Sequence, residues 1–341
     1  MRYFVPIFVA LALTLTLNQL LFPMAAFPRG YDMNHSNWNT FTMHSLHRSL
    51  PEPVYSQDLK AFPLWGDRFG GTVLSGLVWD ACYSNCTASG VPVSQFSFMS
   101  NPRTVAVCGW CVPAYAIAFS TFHSFWILAT FTLFIFYQPE KSLFLMFGTF
   151  SGLMLNFCLS SGEWFLPFDY PSVFFCAWVM LLFLDNRFNA IVPVIIIGSL
   201  FKETVMCAAV LIPFMTSGKP YKGLRDFILC VGVGTVIRYV LMRKFGQPEL
   251  TAEFCFLDNL KNLFRLQWSP WWLTNCGTVT LLWLLPFSRP LKLLAAILIG
   301  GEFLDGHWNE ARGYFAVLPI GILALCYWYD RTTSRITTAS A

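Results

Sequence analysis

Residues Ala114 to Tyr137, AYAIAFSTFHSFWILATFTLFIFY, run without one Asp, Glu, Lys or Arg. A helix of that length, rising 1.5 Å per residue, is longer than the roughly 30 Å of a bilayer's hydrocarbon core. The run has companions on both sides. Tyr3–Phe22 precedes it, and Leu143–Ser161, Ser172–Asp185, Ala190–Phe201, Thr204–Thr216, Leu224–Arg243, Pro270–Pro286, Leu291–Gly301 and Tyr314–Tyr329 follow at close intervals. The pattern predicts an all-α, polytopic membrane protein of about ten transmembrane helices. Several runs are only about 12 residues, too short to span alone, which predicts a bundle with a recessed polar cavity.

Composition agrees with that expectation. The 341 residues include 22 Lys and Arg against 18 Asp and Glu, so 12% are charged, 56% are hydrophobic, and phenylalanine alone occurs 35 times. A soluble domain carries about 25% charged residues. The net charge of +4 is spread in short clusters, so there is no continuous basic face for nucleic acid. No internal repeat or low-complexity tract is visible.

The chain reads as a single membrane domain, 1–341, with one long polar subregion, 27–113, expected to be an extracytoplasmic loop containing interfacial helices. The first run is longer than the roughly 7–15 apolar residues of a cleaved signal and exits through Pro23-Met24-Ala25-Ala26, so an uncleaved helix is expected. Lys141, Arg187, Lys219, Lys222, Arg225, Arg289, Lys292, Arg331 and Arg335 fall in alternate connections, and the positive-inside rule then places both termini in the cytoplasm. Arg243, Lys244, Lys261 and Arg265 break the pattern. Leu257, Leu260, Leu263 and Phe264 recur beside them at helical spacing, as in an amphipathic helix lying at the interface.

Of the eleven cysteines ten fall into two groups, and Cys255 lies in a separate connection expected on the extracytoplasmic side. Cys158, Cys176, Cys207, Cys230, Cys276 and Cys326 lie within apolar runs and read as small packing residues. Cys82, Cys86, Cys108 and Cys111 lie in the long loop, where two disulfides are the simplest expectation, with three pairings open. Cys108-Gly109-Trp110-Cys111 also has the spacing of a thiol-disulfide oxidoreductase motif. A zinc site made of the four has spacings unlike common zinc modules.

Charged groups at membrane depth each require a reason. Lys202 and Glu203 stand between two short apolar runs, either as a mutually neutralised pair at a tight turn or as lining of a cavity. Glu302–Arg312, with Glu310 and Arg312, is acidic and aromatic and precedes the last run. Trp65-Gly66-Asp67-Arg68 opens an amphipathic stretch that could place Arg68 near an anion. These groups, with Asp32 and Asp169, are expected on one membrane face, where carboxylates for proton transfer and cations for a phosphate would meet.

Phe168-Asp169-Tyr170-Pro171-Ser172 opening one helix, Phe201-Lys202-Glu203-Thr204 opening another, and Asn309-Glu310-Ala311-Arg312 before the last together resemble bacterial membrane proteins of the GT-C-like glycosyltransferase superfamily. The likeness covers most of the chain. It implies an enzyme of the inner (plasma) membrane that moves a sugar, with inversion, from a polyprenyl-phosphate carrier to an acceptor on the extracytoplasmic face. By that resemblance Asp32 matches the first-loop base, with Asp67 as second choice. Arg68, Lys202 and Arg312 would hold the departing phosphate, and Asp169, Glu203 and Glu310 would orient cations or bind sugar hydroxyls. The expectation departs from the large members in carrying no soluble C-terminal domain, and the first loop has no Asp-Asp or Asp-x-Asp. No cofactor is expected, and a divalent metal stays open. The expected partners are the lipid-linked sugar and membrane lipid. A thiol-disulfide oxidoreductase using Cys108 and Cys111, and a transporter or structural subunit of a larger membrane complex, are the alternatives.

Overall fold

A computed structural model describes residues 3–26, 74, 104–107, 110–137, 140–161, 169–216, 220–244, 256–264, 287–305 and 316–339, with side-chain surroundings for part of them. The described residues are almost wholly helical. Helix α1 is Phe4–Ala26, and a small antiparallel hairpin of β1 (Thr104–Val107) and β2 (Trp110–Pro113) leads directly into α2, Ala114–Tyr137. Then come α3 (Glu140–Ser161), α4 (Asp169–Leu184), α5 (Phe188–Ser199), a 3₁₀ segment (Glu203–Leu211), α6 (Ile212–Met215), α7 (Pro220–Lys244), α8 (Phe256–Phe264), α9 (Arg289–Asp305) and α10 (Leu318–Ala339). Among the described residues no helix is long and apolar enough to cross a membrane.

Helix α4 is the hub. Twelve of its residues are buried, from Asp169 through Leu182, which is why its sequence is apolar all round instead of striped. Helices α2, α5 and α10 and the 3₁₀ segment all pack on it. Aromatic edges fix α2 against its neighbours: Phe131 meets Phe147 and Phe150 of α3 at centroid distances of 4.8 and 5.2 Å. Trp126 meets Phe174 of α4 at 5.3 Å and Phe201 at the same distance. Such tilted and edge-on pairs are each worth about 0.5–1.5 kcal/mol beyond their buried area.

The turn from α4 to α5 is written locally. Asn186 adopts the left-handed conformation, φ 56°, which Asn tolerates better than most residues. Its N–H donates to the Phe183 carbonyl at 3.1 Å, and the Arg187 N–H donates to Leu182 at 2.9 Å. This is the Schellman pattern that satisfies a helix's last carbonyls. The two helices therefore form an antiparallel hairpin, with Asp185 and Arg187 at one end and Asp169 and Ser199 at the other.

Two sequence expectations differ from the structure. Thr204–Thr216 was expected as one apolar helix and is instead nine residues of 3₁₀ helix followed by one short turn of α-helix. The end of the long loop, expected to contain interfacial helices, forms the β1–β2 hairpin, in which Val107 pairs with Trp110 and Ala106 with Cys111.

Candidate functional site

Asp169 is the first residue of α4, and Lys202 lies three residues beyond the end of α5. The hairpin returns the chain to its starting end, so residues 33 apart in sequence meet. Lys202 Nζ donates to Asp169 Oδ1 at 3.2 Å, with side chains 7% and 1% exposed. Gly198 makes this close return feasible: a Cβ there would sit 2.6 Å from Val205 Cγ1 and 2.9 Å from Phe175 Cβ. The Phe201 and Lys202 N–H groups both donate to the Gly198 carbonyl, turning the chain out of α5.

Lys202 itself is extended, φ −154° and ψ 137°. Successive side chains of extended backbone point to opposite sides, and Glu203 accordingly does not meet Lys202's partner. It accepts from Arg238 Nη2 of α7 at 3.4 Å, where Arg238 is 13% and Glu203 38% exposed. Of the two readings of Lys202 and Glu203, a mutual pair is not what forms: the two side chains make cross-helix pairs, Asp169–Lys202 and Glu203–Arg238. Together they are electrically neutral.

The surroundings of the buried pair are aromatic and tightly packed. The Tyr170 ring lies edge-on to His123 of α2 at 4.7 Å, and both are buried. Ser172 turns its hydroxyl back to the Asp169 carbonyl at 2.6 Å. The Asp169 carboxylate also begins a helix, where the macrodipole favours negative charge. A pair so buried persists only because each charge has its partner: separating them leaves an ion in a poor solvent.

Asp32, Asp67, Arg68, Glu310 and Arg312 lie outside the described residues, as do Cys82, Cys86 and Cys108. Cys111 is described only by its backbone, in β2. In many Cys-x-x-Cys motifs a helix N-terminus depresses one thiol pKa; here the second cysteine sits in a strand. Cys176 and Cys230 are buried free thiols within the bundle. Among the described residues no three His, Cys, Asp or Glu side chains are grouped to hold a metal ion.

Arg238 and His123 are the site residues that sequence reasoning passed over. Each is a polar residue inside an apolar run, Leu224–Arg243 and Ala114–Tyr137, and that isolation was the available signal. Comparison with family models, with curated proteins and with solved structures finds no match to this chain.

Proposed function

We propose that the chain is a polytopic membrane glycosyltransferase of GT-C-like type, using a polyprenyl-phosphate sugar donor on the extracytoplasmic face. The observation that carries this reading is the buried Asp169–Lys202 contact. Two of the three short motifs behind the resemblance, the one around Asp169 and the one around Lys202 and Glu203, meet in space at 3.2 Å. Charged residues that are retained in an apolar bundle and brought together at one end are the default mark of a functional region in a membrane protein.

Membrane residence is supported by composition and surface. With 56% hydrophobic and 12% charged residues, the chain leaves long apolar faces exposed, including Phe4, Phe8, Leu11 and Leu15 on α1 and Ile228, Leu229, Val233, Val236 and Val240 on α7. Soluble monomers rarely expose contiguous apolar patches beyond a few hundred Å².

In the proposed reaction Asp32 removes the proton from the acceptor hydroxyl as that oxygen attacks the anomeric carbon and polyprenyl phosphate departs. A positioned base contributes typically about 10²–10⁴ in rate. Arg68 and Arg312 meet the phosphate, whose charge grows as the bond breaks. Lys202 reaches it only by leaving Asp169, and Glu203 orients Arg238. The test is sugar transfer by the purified chain in lipid from polyprenyl-phosphate donors. Transfer with inversion, lost in Asp32→Asn while donor binding persists, supports the reading. Disulfide exchange that requires Cys108 and Cys111, with no transfer from any donor, rejects it.

A further inference from the structure

The segment Glu203–Leu211 is nine residues of 3₁₀ helix, whereas runs beyond three or four residues are uncommon because the hydrogen bonds are poorer and the side chains eclipse. Something must hold it stretched. At its start Lys202 is tied to Asp169 on α4, and Glu203 is tied to Arg238 on α7. Its end runs into α6, which is wedged against α7: a Cβ on Gly223 would lie 2.9 Å from the Pro213 Cα. Both ends are therefore fixed to helices of the bundle, and the distance between the fixed points selects the longer form.

Thr204 carries the mark of that compromise. Its Oγ1 is buried with no hydrogen-bond partner among the described residues. Elsewhere Thr14, Thr16, Thr130, Thr132 and Thr332 all donate to the carbonyl four residues earlier at 2.7–2.9 Å. Were the chain α-helical through Lys202, the Thr204 hydroxyl would find the Leu200 carbonyl in the same way.

We infer that Glu203–Leu211 is a two-state element, held in its stretched 3₁₀ form by the Asp169–Lys202 and Glu203–Arg238 ion pairs and free to shorten to α-helix when they part. Nine residues rise about 18 Å as 3₁₀ and about 13.5 Å as α-helix, so release shortens the segment by about 4.5 Å. The same step withdraws Lys202 from Asp169, so any anion that competes with that carboxylate for the ammonium favours the shortened state. This inference stands apart from the chemistry proposed above, since it concerns the two ion pairs and not the reaction they would serve.

Spin labels on noncanonical amino acids, which leave the native cysteines untouched, test it in the full chain in lipid. One pair is placed at exposed Leu184 of α4 and exposed Phe214 of α6, and a control pair at Leu184 and exposed Ile197 of α5. The unmodified protein should give one Leu184–Phe214 distance. Asp169→Asn should add a second population displaced by about 4–5 Å with the control distance unchanged, and Asp169→Glu should restore the single distance. Arg238→Gln, which releases the less buried pin, should produce the same second population and serves where Asp169→Asn does not fold. A single, unshifted Leu184–Phe214 distance in whichever of these variants keeps its control distance overturns the inference.

Discussion

Neutralising both members of the Asp169–Lys202 pair should cost clearly less than the two single neutralisations added together. At 3.2 Å, two unit charges attract by about 5 kcal/mol at an effective dielectric of about 20, and removing one partner of a buried pair typically costs about 3–5 kcal/mol. The two single variants should not be equal. Lys202→Met leaves a carboxylate at the N-terminus of α4, where the macrodipole returns about 0.3–1 kcal/mol. Asp169→Asn leaves an ammonium with no such help and should be the more damaging. In Asp169→Asn/Lys202→Met no charge is left stranded, so the double variant should be less damaged than the sum of the singles by about 3 kcal/mol. The measurement is a double-mutant cycle on unfolding free energies of the full chain in mixed micelles. Additive effects, with a coupling below about 0.5 kcal/mol, would refute the view that the pair acts as a buried, mutually dependent unit.

Three further outcomes follow from the packing and the sequence. Gly198→Ala should destabilise by about 1–3 kcal/mol, since its Cβ collides with Val205 and Phe175 and overpacking a tight contact costs that much; a neutral change in the same unfolding assay would contradict the observed approach of α5 to α4. Asn186→Ala should lose about 1 kcal/mol at the left-handed turn position while Asn186→Gly loses nothing, and equal losses would show that backbone conformation is not what the residue supplies. Mass mapping without reductant should find Cys82, Cys86, Cys108 and Cys111 in two disulfides; four free thiols there would favour a redox role for the Cys-Gly-Trp-Cys stretch.

Much of the helical architecture was legible because apolar runs of 14 to 24 residues have few alternatives. Ala114–Tyr137 coincides with α2 to the residue, and the Ser172–Asp185 run lies almost wholly within α4. The 3₁₀ segment was not legible. Its residues, Glu-Thr-Val-Met-Cys-Ala-Ala-Val-Leu, have ordinary helical composition, and what distinguishes the two helix types here is the spacing between fixed ends, which belongs to tertiary structure. The β1–β2 hairpin escaped because Thr104–Pro113 is short and interrupted by cysteine and glycine, where periodicity carries little weight. Asp169, Lys202 and Glu203 stood out in the sequence as charges needing a reason, yet their pairing was invisible: sequence neighbours suggested Lys202 with Glu203, and only the hairpin return and the extended backbone at Lys202 assign different partners. Arg238 was hidden by reading Leu224–Arg243 as an apolar run with charges at its ends, when a cation in the interior of such a run asks for an acid across the bundle.

The proposed transferase is tested most directly by a density map of the chain in lipid with a polyprenyl-phosphate sugar bound. The expected result is head-group density at the end of the bundle that carries Asp169, Lys202 and Arg238, with Asp32 within about 3 Å of an acceptor hydroxyl's site, the reach of a general base. Head-group density at the opposite end, beside Asp185 and Arg187, or an unoccupied bundle at saturating donor, would contradict it.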